Sequence, residues 1–337
     1  MKWSFRNLDA FPDFAPKWGA LNAEVNGSPL LDPTFLEISL QHFSRGGELI
    51  AAYGDTRSPA ALAIMARTGR FSWQTFQPAQ APLGAWLCRP DLELKTAMAD
   101  LVAALPGPSL VAAISQQDPD LSARPKDGGS LRTFDYIETA RITLPNSFDT
   151  YWAARGKNLR HTMKRQRNLL AREGIESRLE IVTAENRMAA AVKDYGALES
   201  RSWKADEGGA IHASNLQGRF YTALMQAFSR HNRAAVYRYW YDDRLVASDL
   251  CIHDDRVFII LKTTYDGAEK KTSPAHLMRQ ESFRKILADR RFKTIEFYGR
   301  AMDWHHKWSD EIRRMHHVNC YRWPVLAVIH GRKLRPV

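Results

Sequence analysis

The run Thr263-Thr264-Tyr265-Asp266-Gly267 through Ser273-Pro274-Ala275-His276 reads as a strand end, a short loop and a helix start. Ser273 suits the N-cap, because its hydroxyl can accept from a free backbone N–H. Pro274 suits the first helical position, where no N–H is missed. Such a helix start offers backbone donors and the positive end of the helix dipole, which fits a pyrophosphate. Lys270 and Lys271 add charge for the same anion. The same residues also describe an ordinary capped helix behind two solvated lysines. Asp266 is either a general base for an attacking amine or a turn residue before Gly267. Tyr265 is either a donor to a thioester oxygen or leaving thiolate, or a packing residue at a strand end.

Histidines titrate near neutrality and can also move the proton. His276, His305 and His306 are candidates, and Trp304 and Trp308 beside the last two suggest a site wall. Their spacing with carboxylates does not form a metal site. Trp203-Lys204 closes a long helix, as a capping aromatic with a solvated lysine or as a wall and a charge for a substrate. Glu199 and Glu296 are further candidates for the base. Cys88, Cys251 and Cys320 are far apart, and their odd count without a CxxC spacing reads as free thiols.

The elements that must position these residues fill two domains of ordinary size, 1–145 and 146–337. The clearest signal is a three-stranded meander, Ala235–Tyr241, Leu245–His253 and Arg256–Thr264, with turns at Asp242-Asp243 and Asp254-Asp255. A helix from Pro274 to about Arg290 follows, then strands at Thr294–Tyr298 and Arg313–Trp323 that close the second sheet. The first half has a shorter version of the same helix–meander–helix–strand order. Before the meander lies a basic helix, Lys157 to Arg172, carrying Lys157, Arg160, Lys164, Arg165, Arg167 and Arg172. It reads as a solvated face, a phosphate-binding face or a dock for an acidic carrier protein. The net charge of +11 favours an anionic partner: a nucleotide cofactor, an acidic carrier, nucleic acid or a membrane surface. No apolar run approaches a membrane span, and the N-terminus does not read as a signal peptide, so a cytoplasmic location is expected.

Over about residues 150–325 the chain resembles the CelD-like and FemAB-like GNAT acyltransferases. The motifs are the basic helix Asn158-Leu159-Arg160…Lys164-Arg165, Trp203-Lys204 at a helix end, Tyr265-Asp266…Ser273-Pro274-Ala275-His276-Leu277, and Glu296-Phe297-Tyr298-Gly299-Arg300 leading to Trp304-His305-His306-Lys307-Trp308. Ala275 stands where the family's Ser-Pro-Gly has glycine. His306-Lys307 replaces the Tyr-Lys of its late motif. The resemblance implies an α+β fold, α/β in some schemes, of tandem GNAT-like domains. Each has a mixed central sheet flanked by helices, and the first domain is degenerate. It implies transfer of an acyl group from acetyl-CoA or a longer acyl-CoA to an amine or hydroxyl of a small-molecule, glycan or peptide acceptor, with no permanently bound cofactor. Lys270, Lys271, Thr272, Ser273, Ala275 and His276 would hold the donor. Asp266, Tyr265, Lys204 and His306 would serve catalysis. Trp203, Arg300, Trp304, His305, Lys307 and Trp308 would line the acceptor side. FemAB-like relatives use aminoacyl-tRNA, so a tRNA-dependent peptidyl transferase is a second reading. A non-catalytic nucleic-acid or carrier-protein binding module on a GNAT scaffold is a third.

Overall fold

Proline sets several helix starts in this chain. Asp32 caps one by accepting from the Thr34 N–H, and Pro33 begins it. Pro274 and Pro324 begin two others. At these positions the missing N–H costs nothing and the fixed φ is already helical. The computed structural model describes residues 1–25, 27–201, 211–212, 215–269 and 271–333. In chain order its elements are β1 (Trp3–Asn7), α1 (Phe11–Glu24), α2 (Pro33–Phe43), β2 (Leu49–Tyr53), β3 (Ala61–Gly69), β4 (Ser72–Thr75), β5 (Trp86–Cys88), α3 (Leu94–Ala104), β6 (Val111–Gln117) and β7 (Leu131–Thr143). They continue as α4 (Phe148–Ala153), α5 (Lys157–Arg172), β8 (Ser177–Val182), α6 (Glu185–Glu199), α7 (Leu216–Ser229), β9 (Ala234–Tyr241), β10 (Arg244–His253), β11 (Val257–Tyr265), α8 (Pro274–Asp289), β12 (Thr294–Glu296), α9 (Asp303–Trp308), β13 (Glu311–Tyr321) and α10 (Pro324–Lys333). No described helix is long and apolar enough to cross a membrane.

The chain forms two units, Met1–Glu138 with Arg313–Val337, and Thr139–Ile312. The C-terminal strand is a correction to the sequence reading. Residues His316–Tyr321 of β13 pair antiparallel with β6, and from Arg313 onward the chain belongs to the first unit. The hydrophobic pattern of a strand does not say which sheet receives it.

The first unit's sheet runs β1-β2-β3-β4-β6-β13, with β5 also on β3. Alanines at 51, 61 and 63 keep β2 and β3 low, and Met98, Leu101 and Val102 of α3 pack in the same core cluster. β4 and β6 run parallel for three pairs, Ser72↔Val111 to Gln74↔Ala113. Beyond that register the chain itself closes the space. Thr75 and Ser115 share a hydrogen bond between their hydroxyls of 2.8 Å, and the Gly84 N–H donates to Ser115 O at 3.2 Å.

The second unit's sheet runs β7-β12-β11-β10-β9-β8. β11 and β12 are parallel; the other neighbours are antiparallel. Tyr237, Tyr239 and Ile260 meet Met163 and Leu170 of α5 and Phe283 and Ile286 of α8 in one core. Arg238 points to the opposite face and pairs with Asp194 of α6. The α5 and α8 side and the α6 side thus cover opposite faces of this sheet, as strand alternation requires.

A Cβ on Gly84 would collide with the Ser115 carbonyl and the Thr75 hydroxyl. Gly84→Ala is therefore expected to destabilise the protein by about 1–3 kcal/mol, as overpacking does. A lowered urea midpoint checks this; an unchanged midpoint would show that the segment at Gly84 is loosely held.

Candidate active site

β11 and β12 stay in register for three pairs only, Val257↔Thr294, Phe258↔Ile295 and Ile259↔Glu296. β11 then continues to Tyr265, paired on its other side with β10 as far as Tyr265↔Ala247. Just after Glu296 the chain turns away at Tyr298, whose φ of 51° is rare for a bulky residue. Among the described residues the edge of β11 facing β12 is thus without a strand partner from Ile260 onward.

A bulge changes what that strand presents. The pairing jumps from Ile260↔Cys251 to Lys262↔Leu250, so Leu261 is an extra residue. Phe258 and Ile260 lie in the core under α8. Without the bulge Lys262 would follow them. Instead Thr263 faces α8 and accepts from Arg279 Nη2 at 3.2 Å, while Lys262 faces α6 and meets Glu199.

The loop before α8 is tied to the rest of the chain through several of its side chains. The Ser273 hydroxyl does not cap the helix; it accepts from Gln166 Nε2 of α5 at 2.9 Å. The N–H groups of His276 and Leu277 both donate to Ser273 O. Thr272 is buried and shares a hydrogen bond with the Tyr241 hydroxyl. Lys271 is exposed and pairs with Glu173 at 3.0 Å. Asp266 accepts from the Ala268 N–H on one oxygen and from Arg244 on the other, so its buried carboxylate shapes the turn. This geometry favours the turn reading of Asp266 over the base. Tyr265 stands exposed at the strand end, and Ala275 packs against the core. Lys270, Trp203 and Lys204 lie outside the described residues.

Beside the free edge of β11 stands a group that the sequence reading passed over. Arg279 of α8 is 2 % exposed and lies 3.6 Å from Asp249 of β10, itself equally buried. Its guanidinium sits 4.2 Å over the Trp304 ring, and its Nε has no hydrogen-bond partner among the described residues. His305 stacks on Trp304 and meets Phe297 edge-on. Arg279 falls three residues after His276 and four before Phe283, on the buried stripe of its helix, so a charge on an apolar face was the available signal.

Buried His305 and half-buried His276 are both held as neutral donors. Trp308 Nε1 donates to His276 Nδ1 at 2.7 Å, and the Met302 N–H donates to His305 Nδ1 at 2.9 Å. Each neutral ring therefore carries its proton on Nε2. Burial, with the Arg279 charge second, lowers each imidazole to about 3. Neither is a base near neutral pH. Trp308 is fully buried and belongs to the core, against its expected place on a substrate wall. Arg300, His306 and Lys307 are exposed. Burial also raises the Cys88 thiol to about 12 and Cys320 to about 11, and holds Cys251 well above its usual value, which leaves no thiolate. No group of side chains that could hold a metal occurs among the described residues.

On the α6 face, Glu199 is fully buried. It meets Lys262 Nζ at 3.2 Å and accepts from the Ile211 N–H at 2.8 Å. Gly196, one turn earlier, leaves room for the Ile211 carbonyl, which an added Cβ would approach to 2.5 Å. Two residues of α6 therefore fix the chain at Ile211.

Residues 157–307 match the family described as the Acetyltransferase (GNAT) domain. The chain carries a GNAT domain. Comparison with curated proteins gives no match. Among solved structures, the C-terminal domain of a putative lysylphosphatidylglycerol synthetase from Agrobacterium fabrum is 12% identical with a TM-score of 0.57, covering 96% of each chain. FemX is 9% identical with a TM-score of 0.57, covering 97% of this chain and 99% of its own. A tandem GNAT protein from the clavulanic acid biosynthesis pathway is 11% identical with a TM-score of 0.51, covering 95% and 99%. These likenesses, over nearly the whole chain, give the fold: α+β, with tandem GNAT-like units. In the GNAT domain the strand pair that separates is β11 and β12, and the helix that follows is α8.

Two outcomes follow for the GNAT domain. The folded His276 and His305 lie near 3, against an ordinary 6.5. The unfolded chain therefore binds their protons first, so their contribution is full above about 6.5 and is lost as pH falls toward 3. Unfolding free energy should drop by about 2 kcal/mol per histidine between pH 7 and pH 5. His276→Gln, which keeps an acceptor for Trp308, should remove one such share in denaturant titrations; an unchanged pH slope would contradict the assignment. Lys262→Met takes one cation from the buried Glu199 carboxylate and should cost up to about 3–5 kcal/mol. Combining it with Glu199→Leu should restore part of that loss, and an additive double variant would show that the two groups are not coupled.

Proposed function

We propose that the GNAT domain is an acyltransferase that takes an acyl group from a thioester laid along the free edge of β11. The observation that carries this reading is the three-pair register of β11 and β12, followed by divergence beside a buried arginine. An extended amide-bearing donor, such as the pantetheine of acetyl-CoA or a longer acyl-CoA, can hydrogen-bond to the unpaired edge as a strand would. The acceptor is an amine or hydroxyl on a small molecule, glycan or peptide. A cytoplasmic setting, where CoA thioesters are made, suits this reading.

The chemistry needs positioning and charge stabilisation more than a strong base. The lone pair of a neutral amine attacks the thioester carbon and forms a tetrahedral oxyanion. Collapse breaks the C–S bond and releases thiolate, and the proton lost by the amine reaches that sulfur through solvent. Arg279, with an unused Nε–H, and the Nε2–H groups of His276 and His305 make the surroundings rich in donors. Arg279 is the residue assigned to the oxyanion, held in place by Asp249, Thr263 and Trp304. Exposed His306 and Tyr265 are the groups assigned to pass the proton. Asp266 is assigned to holding the loop.

Release of free thiol from acetyl-CoA or acyl-pantetheine in the presence of an amine panel tests the reading. Arg279→Met is expected to lower kcat by about 10²–10³, the usual loss for one oxyanion donor. Pairing it with Asp249→Asn keeps a buried carboxylate from confounding the result. Asp266→Asn should retain at least about a third of turnover. No thioester turnover with any acceptor would contradict the proposal. A loss above about a hundredfold in a folded Asp266→Asn protein would return that residue to the role of base.

A further inference from the structure

α5 carries more positive charge than its own fold uses. Leu159, Met163, Gln166 and Leu170 are its buried residues. Arg167 is tied to Gln280 and Glu281 of α8. Lys157, Arg160, Lys164, Arg165 and Arg172 are exposed and make no ion pair among the described residues. At 3.6 residues per turn these five fall within an arc of about 140° along about 22 Å of helix. Arg160 and Lys164 line a groove of about 640 Å³ whose far wall includes Arg284 of α8. Five like charges so close repel one another, and an acidic partner would relieve that repulsion.

The stripe is joined to the proposed donor site through side chains. Gln166 of α5 holds Ser273 at the start of α8, and Lys271 is bound to Glu173 just beyond the end of α5. At that start Pro274 has no N–H, the N–H groups of His276 and Leu277 donate to Ser273 O, and the Thr272 and Ser273 hydroxyls are engaged within the chain. The loop also carries Asp266 and Glu269, both bound to Arg244. Among the described residues few groups remain there for the several phosphates of free CoA, while a stripe of cations without an ion pair lies one helix away.

We infer that the exposed face of α5 docks an acidic carrier protein that delivers the thioester on its phosphopantetheine arm. This rests on the acyltransferase reading and names the form of its donor. A carrier brings one phosphodiester, and its acidic surface supplies the affinity that the loop does not. A straight stripe of cations suits an acidic helix laid alongside it. RNA suits it less: none of the large aromatic residues exposed in the structure lies on α5 to stack a base, and Glu281 stands in the groove.

Fluorescence anisotropy with a labelled, phosphopantetheine-loaded bacterial acyl carrier protein tests the surface directly. Binding should weaken by about tenfold or more between 50 and 500 mM salt, because exposed charges carry it. The variant Arg160→Glu, Lys164→Glu, Arg165→Glu should bind at least about tenfold more weakly. The same variant should process acyl-pantetheine as the unaltered protein does. Absence of carrier binding, equal binding by the variant, or binding of bulk tRNA that the carrier fails to displace would each overturn the inference. The salt series on the unaltered protein decides the matter even if the variant misfolds. Carrier binding without turnover of any thioester would leave this surface standing and remove the acyltransferase reading instead.

Discussion

The second unit depends on how short the agreement between β11 and β12 is. Three residue pairs hold the two parallel strands together, and then each strand is bent from its own side. The extra residue Leu261 kinks β11 and swaps the faces that its later side chains meet. The positive φ of Tyr298 turns the chain away after β12. A continuous ladder would bury the backbone groups of β11 in a sheet and leave nowhere for an extended ligand. The first unit has the same three-pair parallel register but closes the space with Thr75, Ser115 and Gly84. One plan thus occurs twice, with the space filled by the chain's own atoms in the first unit.

Charge inside the second unit follows from the bulge. It sends Lys262 to α6, where Glu199 neutralises it, and Thr263 to α8, where Arg279 donates to it. Arg279 is in turn matched by Asp249 and by the face of Trp304. Buried ions persist when paired and hydrogen-bonded, and pairs of this kind constrain geometry more than they add stability. The outcome is a region holding the buried Arg279–Asp249 pair and two neutral imidazoles protonated on Nε2, with no thiolate among the described residues. That composition suits a developing oxyanion.

Much of this arrangement was legible in the sequence. The meander from Ala235 to Thr264 could be read because alternating apolar residues are punctuated by Asp-Asp turns. The α8 start could be read from Ser273-Pro274, and the basic helix from its spacing. The role of Ser273 could not, because whether a hydroxyl caps its own helix or accepts from Gln166 depends on a helix more than a hundred residues earlier. Asp266 stood open between base and turn residue, because the hydrogen bonds its oxygens accept from Ala268 and Arg244 cannot be read from residue type. Trp308 and His305 looked like a wall because aromatic and histidine clusters often are; burial places Trp308 in the core and fixes the tautomer of His305. β13 was recognised as a strand, but its pairing with β6 of the first unit was not legible, since pairing partners are set by chain topology. Arg279 was missed because the one sign of its burial in the sequence is its place on the apolar stripe of α8, between His276 and Phe283.

The central claim is that a thioester donor pairs with the free edge of β11 and not with the filled space of the first unit. Amide hydrogen exchange with and without a non-hydrolysable acyl-pantetheine thioether measures this at residue level. Protection is expected to rise at Ile260–Tyr265 and to stay unchanged at Ala112–Gln117 of β6. Unchanged exchange throughout Ile260–Tyr265 under saturating ligand, or protection confined to β6, would contradict the account.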